Sequence, residues 1–209
     1  MYRIHTEKLR KTDIKMTYAQ HITSEEIEKM EFASFSGEIY VINKADAEFH
    51  KAMKYLSSQP MIGFDTETKP CFVPKVPRNK MAILQLSGEE KAYIFRLQQL
   101  GVPKKLAQLL ANPGVIKIGA AVHDDIRGLR EYYDFTPANF VDLQKLAGEF
   151  GIEEKSVRKM AAIILNKRVS KSQQLSNWES SILSEAQLKY AAIDAWICLE
   201  MYKALMNIL

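Results

Sequence analysis

A mixed α/β fold is predicted by three features of the 209-residue chain. Short apolar runs with strand character recur as far as residue 142. Amphipathic stretches of helical period lie between them. The end of the chain is helical in pattern throughout. Strands with interspersed helices and a helical end make a layered α/β sandwich. At roughly 150 residues per domain the length suits one domain with a small appendage. A chain of this size buries a core without disulfides or a structural metal.

Residues 1 to about 37 are polar and read as an appendage. Within it Thr23 and Glu26 fit a capping box for a short helix, SEEIEKM. Its expected role is to pack a domain edge or to contact a second subunit. The domain proper is expected over 38–209. GEIYVIN reads as its first strand and ADAEFHKAMKYLSS as an amphipathic helix. MIGFDTE is the second strand. KPCFVPKVPRNK follows as a loop, because Pro74 and Pro77 forbid regular structure. MAILQLS and KAYIFRL are strands joined by a turn at Gly88-Glu89-Glu90. KKLAQLLAN is a helix, VIKIG a strand, and AVHDDIRGLREYY a helix that starts just after it. Phe140-Val141-Asp142 is a short strand whose aspartate is placed to cap the next helix, LQKLAGEF. SVRKMAAIILNK is helical and LSNWE is a connector. SEAQLKYAAIDAWICLEMYKALMNIL is a long last helix with Ser184 and Gln187 as its capping box.

Composition narrows the function classes. Hydrophobic residues make up 47% and charged residues 26%, a globular balance. The net charge of +4 permits a polyanionic partner without requiring one. Cys71 and Cys198 belong to no CxxC pair, and no histidine stands at metal-ligand spacing from either. Both are expected to be reduced thiols, and the protein to be cytoplasmic. The start, MYRIHTEKLRKTD, is charged and lacks the apolar core of a signal peptide. No apolar run approaches bilayer length.

Carboxylates in apolar surroundings carry the chemistry. Asp65 and Glu67 end the strand MIGFDTE, and their spacing puts both on one face. Two adjacent carboxylates repel unless a proton or cation lies between them. The triplet alone suits a solvated strand end equally well. Asp194 is the one charged residue in YAAIDAWICL, and Tyr190 lies one helical turn before it on the same face. A Tyr and an Asp at the edge of a core stripe are also common. Asp124 and Asp125 sit in the first turns of a helix, where the helix dipole favours acids without any further role. No His or Cys accompanies these groups, so an all-oxygen site would suit Mg²⁺ or Mn²⁺. Spacing alone does not bring the segments together.

FDTET, then GAAVHDDIRGL, then YAAID resemble, in order, the three motifs of the DEDD 3′–5′ exonucleases. The Y-x-x-x-D form of the third motif resembles the tyrosine subgroup, that of ribonuclease D and the Werner syndrome helicase exonuclease domain. LSNWESSILSEAQLKYAAIDAW carries the likeness furthest, and it covers roughly residues 38 to 207. The resemblance implies a ribonuclease H-like fold, a mixed five-stranded sheet flanked by helices. It implies two Mg²⁺ or Mn²⁺ ions on Asp65, Glu67, Asp125 and Asp194. Asp65 would bridge both metals, and Glu67 and Asp194 would share one. Tyr190 would orient the attacking water and could help deprotonate it. Asp125 matches the second motif when the stretch is aligned on Gly119 and Leu129, and a one-residue shift would select Asp124. The partner implied is DNA or RNA with a free 3′ end, shortened to nucleoside 5′-monophosphates.

The basic loop after the first motif, with Lys69, Lys75, Arg78 and Lys80, is expected to border the strand, although a solvated loop is as simple. Lys167, Arg168 and Lys171 precede the SNW segment and are candidates for backbone phosphate. Trp178 reads as core packing beneath the site. Two other readings stay open: a nucleic-acid-binding module that has lost catalysis, and a phosphodiesterase for short oligonucleotides. All four expected carboxylates and the tyrosine are present, which weighs against the first.

Overall fold

The computed structural model describes residues 18–72 and 79–208. Most of the expected appendage, and Pro74, Lys75, Pro77 and Arg78 of the expected loop, lie outside the described residues.

The first helix, α1, spans Ser24–Glu28 and is closed by the expected capping box. Thr23 Oγ1 accepts from the Glu26 N–H at 3.2 Å, and the Glu26 carboxylate accepts from the Thr23 N–H at 2.8 Å. Strand β1 (Glu38–Ile42) leads into α2 (Ala47–Ser58), capped by Asp46. Strand β2 is Met61–Thr68; β3 (Met81–Ser87) and β4 (Lys91–Arg96) form a hairpin across the predicted turn. KAYIFRL does not stay extended to its end: Leu97–Leu100 turns into the short helix α3, stopped by Gly101 at φ 65°. Helix α4 (Lys104–Leu110), β5 (Ile116–Gly119), α5 (Val122–Arg130) and β6 (Phe140–Asp142) follow. Three helices complete the chain: α6 (Leu143–Glu149), α7 (Val157–Leu165) and α8 (Glu185–Leu205). Asp142 caps α6, and Ser184 with Gln187 caps α8, as their sequences predict.

Six strands form one mixed sheet among the described residues, in the order β1-β4-β3-β2-β5-β6. The five strands implied by the resemblance are one too few. Even the three-residue β6 earns its place, pairing parallel with Lys117–Gly119 of β5. The strand β2 lies inside the sheet, antiparallel to β3 and parallel to β5.

Alternation along β2 divides its work. Ile62 and Phe64 point to one side, into a core shared with Leu84, Leu86, Phe95 and the apolar faces of α2 and α4. Phe64 is fully buried, its ring edge-on to Phe140 at 5.2 Å. Emptying such a position costs about 3–5 kcal/mol. Gly63, Asp65 and Glu67 point to the other side, which α8 covers together with α6 and α7. A Cβ built at Gly63 would stand 1.9 Å from the Ala195 carbonyl oxygen, so the helix backbone rests directly on the strand. No described helix is long and apolar enough to cross a membrane.

The described part of the N-terminal segment is sewn to the domain. Glu28 pairs with Arg158 and Arg168, and Glu31 pairs with Lys167 at 2.6 Å. Phe32 forms a bridge with Arg168, whose guanidinium lies 3.8 Å from the Phe32 ring centroid. Lys167 and Arg168 are therefore occupied by the chain's own acids.

Candidate active site

The close approach at Gly63 brings the third motif onto the first. Oxygens of Asp65, Glu67 and Asp194 lie within 4.8 Å of one another. Asp65 and Glu67 are half-buried on β2, and Asp194 is 9% exposed on α8. None of the described lysines or arginines forms an ion pair with any of the three. Burial, then the charges of Asp194, Glu67 and Asp125, push the Asp65 carboxyl well above its usual range. Glu67 is pushed up to about 8 by burial and by Asp194 and Asp125. Asp194 is pushed up to about 7 by burial, which the Tyr190 phenol partly offsets. Removing these acids from water without a counter-charge is unfavourable, and a cation among them adds an attraction to each that offsets their mutual repulsion. Three hard oxygen donors fit a divalent cation of the Mg²⁺ or Mn²⁺ kind. Cys198, buried one turn after Asp194, has its thiol pushed up by burial and by the charges of Asp65, Asp194 and Asp125, so it stays protonated and supplies no thiolate ligand.

The fourth expected carboxylate lies on α5, outside the group of three whose oxygens come together, and the structure separates the two adjacent aspartates. Asp124 points to solvent, its side chain 72% exposed, and pairs with Arg127 at 3.0 Å. Asp125 turns inward and accepts from Thr66 Oγ1 at 2.6 Å. Burial raises it to about 6 against that hydrogen bond. Thr66 lies between Asp65 and Glu67, so one threonine ties the second motif to the first. The chain enters α5 through Ala121 in the left-handed region, φ 56°, which costs an alanine about 1–2 kcal/mol. Asp142 holds that turn, accepting from the Ala121 N–H at 3.1 Å while also capping α6. His123 is exposed and does not join the cluster.

Beneath Tyr190 lies the connector between α7 and α8. Trp178 is fully buried, its ring centroid 5.9 Å from that of Tyr190, so it is core packing, as expected. Gln187 Nε2 donates to Ser176 Oγ at 2.9 Å and to the Asn177 carbonyl at 3.2 Å. Arg96, 5% exposed at the end of β4, donates to the carbonyls of Ser180 and Ser181. Sequence reasoning missed Arg96 and Thr66. Strand alternation was the available signal for Arg96, because it shares a face with Ile94 and so points inward.

The expected phosphate contacts are scattered. Lys69 follows β2 and pairs with Glu179 of the connector at 3.2 Å, 42% exposed. Lys80 lies over the Tyr132 ring at 5.8 Å. Lys171 is exposed on the connector, and Arg78 lies outside the described residues.

A mixed sheet that gathers acidic oxygens against a covering helix makes a carboxylate site of the kind that holds a divalent cation. Residues 40–209 match the family model described as a 3′–5′ exonuclease, and the chain belongs to that family of hydrolytic enzymes. It is 31% identical over 190 residues to the mouse bifunctional 3′-5′ exonuclease/ATP-dependent helicase WRN, covering 87% of this chain and 14% of that protein. It is 30% identical over 159 residues to DNA polymerase I of Aquifex aeolicus, covering 76% of this chain and 26% of that one. The chain thus spans only a fraction of these curated relatives. The solved EXO domain of Aedes aegypti Nibbler superposes with a TM-score of 0.72 at 25% identity, over 84% of this chain and 91% of that one. Escherichia coli RNase D gives a TM-score of 0.71 at 22% identity over 80% of this chain and 44% of that one, a likeness of ribonuclease H-like fold.

Proposed function

We propose that this chain is a metal-dependent 3′–5′ exonuclease that removes nucleoside 5′-monophosphates from the 3′ end of a DNA or RNA strand. The observation that carries the reading is the Asp65–Glu67–Asp194 cluster, with oxygens within 4.8 Å and no ion-pair partner among the described residues. In this reading Asp65, Glu67, Asp125 and Asp194 would hold two Mg²⁺ or Mn²⁺ ions. Bound cations supply charge stabilisation at the attacked phosphate and its leaving oxygen. The protein's own part is to fix the oxygens and to orient water. Burial and the charges of Asp194 and Glu67 raise the Tyr190 phenol. In this reading Tyr190, one turn before Asp194 on α8, orients the attacking water. Lys69, Lys80, Lys171 and Arg78 are the proposed contacts to strand phosphate. Residues 38–209 are taken as the catalytic domain and 1–37 as its appendage.

Matched DNA and RNA oligomers, labelled at either end, test the reading with Mg²⁺, Mn²⁺ or a chelator. A 5′ label should yield a descending ladder and a 3′ label a mononucleotide, both lost with chelator. Internal fragments from both labels would point to endonuclease action instead. Asp194→Ala should abolish turnover. Tyr190→Phe should lower kcat by about 10–100-fold while leaving Mn²⁺ affinity within about twofold. Unchanged kcat would remove the phenol from the mechanism.

A further inference from the structure

Gln85 sits where the fold wants a hydrocarbon. It is on β3, 1% exposed, between Leu84 and Leu86 in sequence. Neither its Oε1 nor its Nε2 has a hydrogen-bond partner among the described residues. Buried amides are almost always paired, and one that is not needs a reason. Its neighbours on that face give none. Ile83 precedes it by two residues, and Ile94 stands opposite on β4. Leucine or methionine would fill the same volume without stranding polar atoms.

The other cross-strand neighbour supplies the reason. Gln85 is the register partner of Asp65. Antiparallel partners share a face, with Cβ atoms about 4.5–5.5 Å apart. The glutamine side chain is one methylene longer than the aspartate's, so its amide can reach past the Asp65 carboxylate toward α8. Asp65 has four lone-pair directions, and its hydrogen-bonding support is the Thr66 backbone. The oxygens of Asp65 that do not face a cation need donors. The Gln85 NH₂ is a neutral donor on the face of the sheet that Asp65 shares. A positively charged side chain there would compete with the cation; an amide does not.

We propose that Gln85 is a positioning residue of the carboxylate site. Its Nε2 donates to the rear oxygen of Asp65 in the cation-loaded cluster and fixes the carboxylate's orientation. The proposal rests on the metal reading above. It gives a reason for a buried, unpaired amide on the face of the sheet that Asp65 shares.

Gln85→Met and Gln85→Leu test it by Mn²⁺ titration calorimetry and by melting in chelator. In at least one variant the melting temperature without metal should equal or exceed the parent's, because the stranded amide is gone. In the same variant Mn²⁺ binding should weaken about 10-fold, the range seen when a ligand's supporting partner is removed. Mn²⁺ affinity within threefold of the parent overturns the proposal. So does a lower metal-free melting temperature, or failure to fold, in both variants, because the amide then serves the fold. A parent protein that binds no Mn²⁺ would instead defeat the metal reading, and that result is obtained before any variant is made.

Discussion

Asp65→Asn is expected to raise the melting temperature of the metal-free protein while abolishing its nuclease activity. The two effects have one cause. Half-buried Asp65 feels the charges of three acids, Asp194, Glu67 and Asp125, and each raises its carboxyl. Asparagine keeps the shape and removes the charge. Relief of about 2 kcal/mol corresponds to roughly 4–8 °C for a domain of this size. Loss of a proposed cation ligand should lower turnover by at least about 1,000-fold, equivalent to about 4 kcal/mol of barrier.

The same electrostatics set a pH dependence. Glu67 moves from 4.5 to about 8, Asp194 from 3.8 to about 7 and Asp125 from 3.8 to about 6. These groups bind protons more tightly folded than unfolded. Between pH 4 and about 8 the folded state therefore holds more protons, and stability falls as pH rises through that window. Below it both states are protonated and the penalty is absent. In chelator the melting temperature should drop between pH 5 and 8, and millimolar Mg²⁺ should flatten the slope. An unchanged profile for Asp65→Asn, or a metal-free protein that grows more stable over this range, would overturn the account.

Gly63→Ala should be the most damaging change of a single methyl group. The new Cβ would stand 1.9 Å from the Ala195 oxygen, 2.6 Å from its carbonyl carbon and 3.3 Å from the Trp196 nitrogen. All three are backbone atoms of α8 and cannot swing aside. The helix must lift by about 1 Å, and it carries Asp194 with it. Displacement of that size costs about 100-fold in rate, and the overpacking about 3 kcal/mol in stability. Gly128→Ala is the control. Its Cβ would meet only the Met81 side chain, nearest at 2.6 Å from Cε, which can turn away. Equal melting temperatures and activities for the two alanine variants would show that the strand–helix contact does not set the site.

Much of this site was legible because carboxylates interrupted apolar patterns. Asp65, Glu67 and Asp194 break runs that otherwise read as core, and the structure brings these three together. The choice between Asp124 and Asp125 was open on motif alignment, yet helix periodicity says which of the two turns inward. Val122 and Leu129 are buried on α5, and Asp125 lies three after one and four before the other, on the same face. Gln85 was hidden for the opposite reason. Within MAILQLS a single glutamine looks like ordinary alternation, and only the strand register sets it beside Asp65. Gly63 was unreadable too, since the demand for a missing side chain comes from Ala195, more than a hundred residues away. Pairing of Lys167 and Arg168 with the N-terminal acids lay beyond local pattern for the same cause.

The interior place of β2 also bears on motion. Gly63 is paired with Ser87 on one side and Ile118 on the other. Amides flanked in this way open only when the sheet does. Hydrogen exchange should therefore find the backbone around Ile62–Asp65 among the slowest in the chain, while the 170–183 connector exchanges early. The reacting groups would then inherit the stiffness of the part that unfolds last, and adjustment to the incoming strand would fall to the rim.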